Sequence, residues 1–424
     1  MKRGIPLLFV ALVGLVGVLV NDDAAQVARA QAPDGLFVPI APQRLIDTRK
    51  SRDPFTISSV GSNRDIDLVG NLEIGADTKS SVIGVFVNIT VLDATTSGFV
   101  TVFPSSRSRP NSSIVNFTPN DISSNGFFIA TPSGSASRFS MVSESGISGQ
   151  ANVILDVAGI VTSDVAVNDA ARLVAVLPNR VFDSRRGAVV GPHSLTRVDF
   201  TNDEQGVVAV AINITVDNWR KNSLATFIGL VSDEKSVLPE TSLINVERRE
   251  TKSNFSIIPV DETGHAVFFN SEGETNLIID QVGYITTDQS ATATSGRIVL
   301  LDTPFRVLDS RPSSLGPGQQ VTWDFQPFIL SLGSSRIGLE NSRVFFGNFT
   351  AVNVRRRAAG LRVADYITIF PTGTARPDTS NMTVGDGQTL ANSGLFMVSD
   401  TGLDIYNDDG YADYLLDVSA VVTG

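Results

Sequence analysis

The chain has 424 residues, 42% of them hydrophobic and 18% charged, which is too long for one core and apolar enough to fill several. A formal net charge of −11 argues against the extended basic surface that a phosphate backbone requires, so nucleic acid is not an expected partner. The absence of cysteine excludes disulfides, thiol chemistry, cysteine-bound zinc and iron–sulfur clusters, and leaves packing to hold the fold.

In chain order, Lys2 and Arg3 precede an apolar run from Ile5 to Val20, followed by the small-x-small pattern Ala28-Arg29-Ala30. This predicts a signal peptide over residues 1–30, export to a secreted or cell-surface location, and no stable membrane insertion once it is cleaved. A retained anchor is the alternative, since the run approaches spanning length.

Next comes RLIDTR at 44–49, which recurs as RVFDSR at 180–185 and RVLDSR at 306–311. After it stand VNITV, INITV and GNFTA, with Asn88, Asn213 and Asn348 at matching places. The series SSIVNF, TSLINV and TSNMTV follows, then the turns VSESG, FNSEG and YNDDG, then VILDVAGIV, LIIDQVGYI and LLDVSAVV. Five landmarks in one order, three times, predict three domain-sized units over 36–163, 172–287 and 297–424, joined by short polar linkers. Within each unit the β-branched runs are short and punctuated by Gly, Asn, Ser and Pro, and no helical period is sustained. The expected fold class is all-β: three tandem antiparallel β-sandwich or barrel-like domains.

The runs FVPIAPQRLIDTR, VNITV and SGFVTVFP, and above all FPTGTARPDTSNMTVGDGQTLAN at 370–392, resemble a repeat of secreted actinobacterial proteins. The pattern of that repeat runs RLLDTR, NVTVT, GFLTVYP, SNLNF, GQTVAN and DVxGYF. The resemblance implies an exported surface or cell-wall-associated β repeat with no activity of its own. Unit 2 departs from it at SLATFIGLV, and unit 3 ends in DVSAVV without Gly-Tyr.

On a regular strand Leu45, Asp47 and Arg49 share one face, and Arg44, Ile46 and Thr48 the other. Two guanidiniums beside Asp47 keep it ionised, which suits a structural ion pair better than a proton carrier; anion binding by Arg44 and Arg49 is the other reading. Asp156, Asp280 and Asp417 lie in apolar runs near the end of each unit, where an unpaired carboxylate is costly. We therefore expect a polar clasp from first strand to last: Arg44, Asp47, Arg49 and Asp156; Arg180, Asp183, Arg185 and Asp280; Arg306, Asp309, Arg311 and Asp417. Asn88, Asn213 and Asn348 begin Asn-x-Thr, which reads as an amide serving backbone groups at a sheet corner rather than as a glycan acceptor. DIYNDDGYAD at 404–413 fails the calcium-loop template at Ile405 and reads as a hairpin turn. The loops carrying Trp219, Arg220 and Lys221, and Arg355, Arg356 and Arg357, are the candidate partner contacts.

Two histidines at non-equivalent places and no nucleophile motif predict neither catalytic residues nor a metal or cofactor. The expected function is therefore non-enzymatic: a structural or adhesive cell-surface protein (spacer, coat or filament subunit), with self-association or a cell-envelope polymer as partner. A binding module for anionic or glycan envelope polymer is the alternative, and a hydrolase a distant third.

Overall fold

The computed structural model describes residues 34–132, 136–200, 204–231, 238–239, 241–287, 295–331, 342–355 and 364–424. The expected signal peptide, and Arg356 and Arg357, lie outside the described residues.

Unit 1 contributes β1 (Asp34–Asp47), β2 (Phe55–Ile57), β3 (Ser62–Ile66), β4 (Val82–Leu92), β5 (Gly98–Pro104), β6 (Val115–Phe117), β7 (Ser123–Ala130), β8 (Ser137–Ser143) and β9 (Gly149–Thr162). Unit 2 contributes β10 (Arg172–Asp183), β11 (Leu195–Asp199), β12 (Val207–Asp217), β13 (Thr226–Val231), β14 (Ile244–Val246), β15 (Thr251–Pro259), β16 (His265–Asn270) and β17 (Asn276–Thr286). Unit 3 contributes β18 (Ile298–Asp309), β19 (Gln320–Trp323), β20 (Val344–Arg355), β21 (Ala364–Pro371), β22 (Met382–Gly385), β23 (Leu390–Met397), β24 (Leu403–Asn407) and β25 (Tyr411–Val422).

Every unit has two four-stranded antiparallel layers in one order, the first layers of units 1 and 3 being joined through β1 and β18 into one nine-stranded sheet that also takes in β2. They are β1-β9-β4-β7 with β3-β8-β5-β6, β10-β17-β12-β15 with β11-β16-β13-β14, and β18-β25-β20-β23 with β19-β24-β21-β22. With β2 set aside as an addition to the edge of β9, one sheet holds the first, eighth, third and sixth strands and the other the second, seventh, fourth and fifth. That order is a jelly roll, a sandwich of two interleaved Greek keys.

The two sheets of a unit read differently in sequence. In the second sheet, β3 alternates between intermediate and exposed positions, as an edge strand with one wet face does, and carries Arg64 and Asp65 along that edge. In the first sheet, β4 and β17 are buried almost throughout. Their inner face meets the partner sheet, and their outer face meets a neighbouring unit, so both parities must be apolar. The largest core accordingly crosses unit boundaries: Phe86 and Phe128 of unit 1, Ala211 and Phe255 of unit 2, and Phe346 and Leu395 of unit 3 belong to one cluster.

Candidate functional site

The repeated polar residues build two devices that meet on adjacent strands, where Asn88, Asn213 and Asn348 pair with Asp156, Asp280 and Asp417. In the first, strand pairing sets Arg44 opposite Asp156, Arg180 opposite Asp280 and Arg306 opposite Asp417. Each guanidinium donates twice to its carboxylate: Nε and Nη2 lie 2.8 and 3.0 Å from Asp156, 2.8 and 3.0 Å from Asp280, and 2.6 and 2.8 Å from Asp417. These aspartates are 3%, 1% and 0% exposed, so the bidentate partner is what makes their burial tolerable. Burial pushes their carboxyls above the usual range, while the paired arginine pulls the other way.

The second half of each clasp sits where the first strand stops. Asp47 caps the short helical turn Thr48–Ser51 by accepting from the Arg49 amide, and takes Arg49 Nε and Nη2 at 2.9 and 2.8 Å. Asp183 with Arg185, and Asp309 with Arg311, repeat this arrangement. The arginine contacts hold all three carboxyls below the ordinary range.

The face assignment expected from a regular strand is wrong here. A register shift between Arg44 and Ile46 brings Arg44 and Asp47 to the same side, 3.8 Å apart, and the equivalent shift occurs in β10 and β18. A bulge inserts one residue and so inverts the parity beyond it.

The second device is a ring of asparagines between units. Asn88, Asn213 and Asn348 stand in mid-strand, not at a sheet corner, and their amides donate to the next unit: to Ser242 O at 2.8 Å, Ser380 O at 2.6 Å and Ser113 O at 2.5 Å. Three further asparagines complete the circuit. Asn125 donates to Asn348 Oδ1 at 2.8 Å, Asn254 to Asn88 Oδ1 at 3.2 Å and Asn392 to Asn213 Oδ1 at 3.0 Å. Each also donates to its own unit, at Ile114 O, Leu243 O and Asn381 O. Each accepts a backbone amide from another unit: Ser393 N to Asn125, Gly126 N to Asn254 and Phe255 N to Asn392.

The three units are therefore linked cyclically by one threefold-repeated pattern, and the buried amides are satisfied on both donor and acceptor sides. Among the described residues ion pairs also cross each interface: Lys252 to Asp121, Arg186 to Asp378, and both Arg107 to Asp302 and Arg297 to Asp34. Sequence reasoning missed Asn125, Asn254 and Asn392, although each follows the third landmark of its unit and could have been aligned there.

The expected hairpin at 404–413 is also corrected. β24 and β25 belong to opposite sheets, as do β8 and β9, and β16 and β17, so the turn carries the chain across the sandwich. Gly146, Gly273 and Gly410 take φ of +73°, +58° and +76° there, a conformation that disfavours other residues. In unit 3 the Asp409 amide donates to buried Asp365 at 2.8 Å, while the other oxygen of Asp365 has no hydrogen-bond partner among the described residues. Burial, with Asp408 and Asp409 nearby, pushes its carboxyl up to about 7.

Of the candidate contact residues, Trp219 is 43% exposed and Lys221 is exposed, but Arg220 turns onto its own unit and donates to Asn276 at 2.8 and 3.1 Å. Arg355 donates to Ser314 Oγ at 3.1 Å and lies 5.7 Å from the centre of the Tyr411 ring. Among the described residues, no group of three His, Asp or Glu side chains is arranged to hold a metal ion.

No family model and no curated protein matches the chain. Solved structures that align with it include one from an archaeal virus with a triple jelly-roll fold and turret assembly, at 10% identity over 91% of each chain with a TM-score of 0.18. Another is from the Sulfolobus turreted icosahedral virus, also at 10% identity, over 91% of this chain and 92% of that one, with a TM-score of 0.18. At that score the likeness carries no argument about function, and the fold described above rests on the strand order alone.

Proposed function

We propose that the chain is an exported, non-catalytic building block of the cell surface, whose three jelly rolls act as one body. The observation that carries this reading is the disposition of the repeated polar residues. The arginines and aspartates close each unit on itself, and the asparagines close the units on one another. What the repeats share is thus spent on architecture, and a partner would meet the residues they do not share.

Self-association into a coat or filament is the leading role, with an envelope polymer as the alternative partner. Electron microscopy and sedimentation of protein lacking residues 1–30, with and without purified cell wall, separate the two. Ordered assemblies in the absence of wall support the structural role. A monomer that co-sediments with wall, and loses that binding when Trp219, Lys221 and Arg355 are replaced by alanine, supports the alternative. A monomer that does neither contradicts both.

A further inference from the structure

We infer that each unit carries a docking face for the next unit that holds without the covalent linker, and that side chains on the ring axis fix the order of the three. The first half of the inference rests on the junction between units 3 and 1. These units are not consecutive in the chain, yet they share every element of the pattern. Asn348 donates to Ser113 O, Asn125 donates to Asn348, and Ser393 N donates to Asn125. The same junction adds a strand pairing, Asp34 with Val299 and Gly35 with Ile298, and the ion pair of Arg107 with Asp302. A face that holds two non-consecutive units together needs no tether at the other two junctions. In the linker after unit 1, Ser163, Asp164, Val165 and Ala166 are exposed, while Val167 packs on the core and buried Ala171 pairs with Phe37.

The second half rests on residues where threefold repetition fails. One place past the ring asparagines the units carry Gly126, Phe255 and Ser393. Two places before Asn88, Asn213 and Asn348 they carry Phe86, Ala211 and Phe346. The aromatic rings meet at the centre, with Phe255 lying 5.9 Å from Phe86 and 5.2 Å from Phe346. A Cβ at Gly126 would stand 2.3 Å from the Phe255 carbonyl oxygen, a distance no real side chain tolerates. Three copies of unit 2 would put a phenylalanine side chain where Gly126 stands against a neighbour's carbonyl, and three copies of unit 1 would set three Phe86 rings against three glycines, so neither reproduces the mixed packing of Phe86, Phe255 and Phe346. The partner that each face fits is therefore one particular neighbour, not any unit of the same fold.

Two experiments on the full chain test this. In the first, a specific protease site replaces residues 164–168 and is cut under native conditions. The pieces are expected to co-elute on gel filtration at micromolar concentration, and to separate once Asn125→Ala is added. Separation of the cut but otherwise unaltered protein would overturn the linker-independent face. In the second, Phe255→Leu is expected to lower Tm by a few degrees, and Gly126→Ala by about 5 °C or more. Adding Gly126→Phe to Phe255→Gly is expected to lower Tm below that of Phe255→Gly alone. Recovery of the original Tm by that exchange, or an unaltered Tm in Gly126→Ala, would overturn the fixed order.

Discussion

The clasps and the asparagine ring are both repeated three times, yet one is made of charges and the other of neutral amides. Their surroundings explain the choice. Each clasp lies at a sandwich edge, where the arginine side chains Arg44, Arg180 and Arg306 keep 18%, 15% and 21% of their surface in water while their aspartates are buried. Partial hydration of the guanidinium lowers the cost of taking the carboxylate inside. The ring has less of an outlet: its asparagines are all buried, from 0% exposed at Asn125 and Asn348 to 8% at Asn88. There an amide, which donates and accepts without net charge, can satisfy backbone groups of two units at once. Charge suits the closing of a unit against water, and amides suit the joining of units away from it.

This contrast can be broken by mutation. The largest effect is expected from Asn125→Ala, which strands Ile114 O and Ser393 N and takes one of two donors from Asn348 Oδ1 in a dry setting. At about 1–3 kcal/mol for each orphaned group, the loss is roughly 3–6 kcal/mol, and calorimetry should resolve it as a lower Tm with loosened units. Next comes Arg306→Ala, which leaves Asp417 buried and unpaired at a cost of about 3–5 kcal/mol. Replacing both partners with apolar residues of similar volume, Arg306→Met with Asp417→Leu, should recover most of it, whereas no apolar pair should rescue the ring. If Arg306→Ala proves as cheap as a surface change, the clasp has no structural role.

Acid sharpens the same contrast. Asp47, Asp183 and Asp309 have lowered pKa values in the folded chain, so the stability they add is present above their unfolded pKa near 4 and is lost as pH falls below it. The ring contains no titratable group. The cost of Asn125→Ala, measured by denaturant titration, should therefore stay constant between pH 3 and 7, while that of Arg49→Ala shrinks toward acid. Asp365 works in the opposite sense. Its folded pKa of about 7 lies above the unfolded one, so it favours the folded state at acid pH and that contribution fades as pH rises to 7. Asp365→Asn should flatten this slope and raise Tm at pH 8 relative to the parent chain. The smallest effect is expected for Lys221→Ala, within about 0.5 kcal/mol, as for an ordinary surface position.

Much of this was legible in the sequence because repetition marks it. RLIDTR with a distant aspartate, three times in register, points to a paired strand, and the side chains that meet are the ones so marked. What sequence could not supply is whatever depends on which surfaces face each other. Parity counting assigned Arg44 and Asp47 to opposite faces because a bulge has no local signature. The turn at Gly410 looked like a hairpin because sheet membership is a property of the whole chain. Asn125 in SSNGFF reads as an ordinary polar strand residue, since its partners Asn348 and Ser393 lie more than two hundred residues away. The apolar runs of β4 and β17 were, besides the aligned asparagines, a further trace of the ring: strands apolar on both faces imply a cover beyond their own sandwich.

The closed ring is tested most directly by small-angle X-ray scattering of the chain without residues 1–30. A single compact body of this length has a radius of gyration of about 21 Å, and Asn125→Ala should increase it. A value of roughly 30 Å or more in the parent chain, as for three jelly rolls strung on flexible linkers, would contradict the ring.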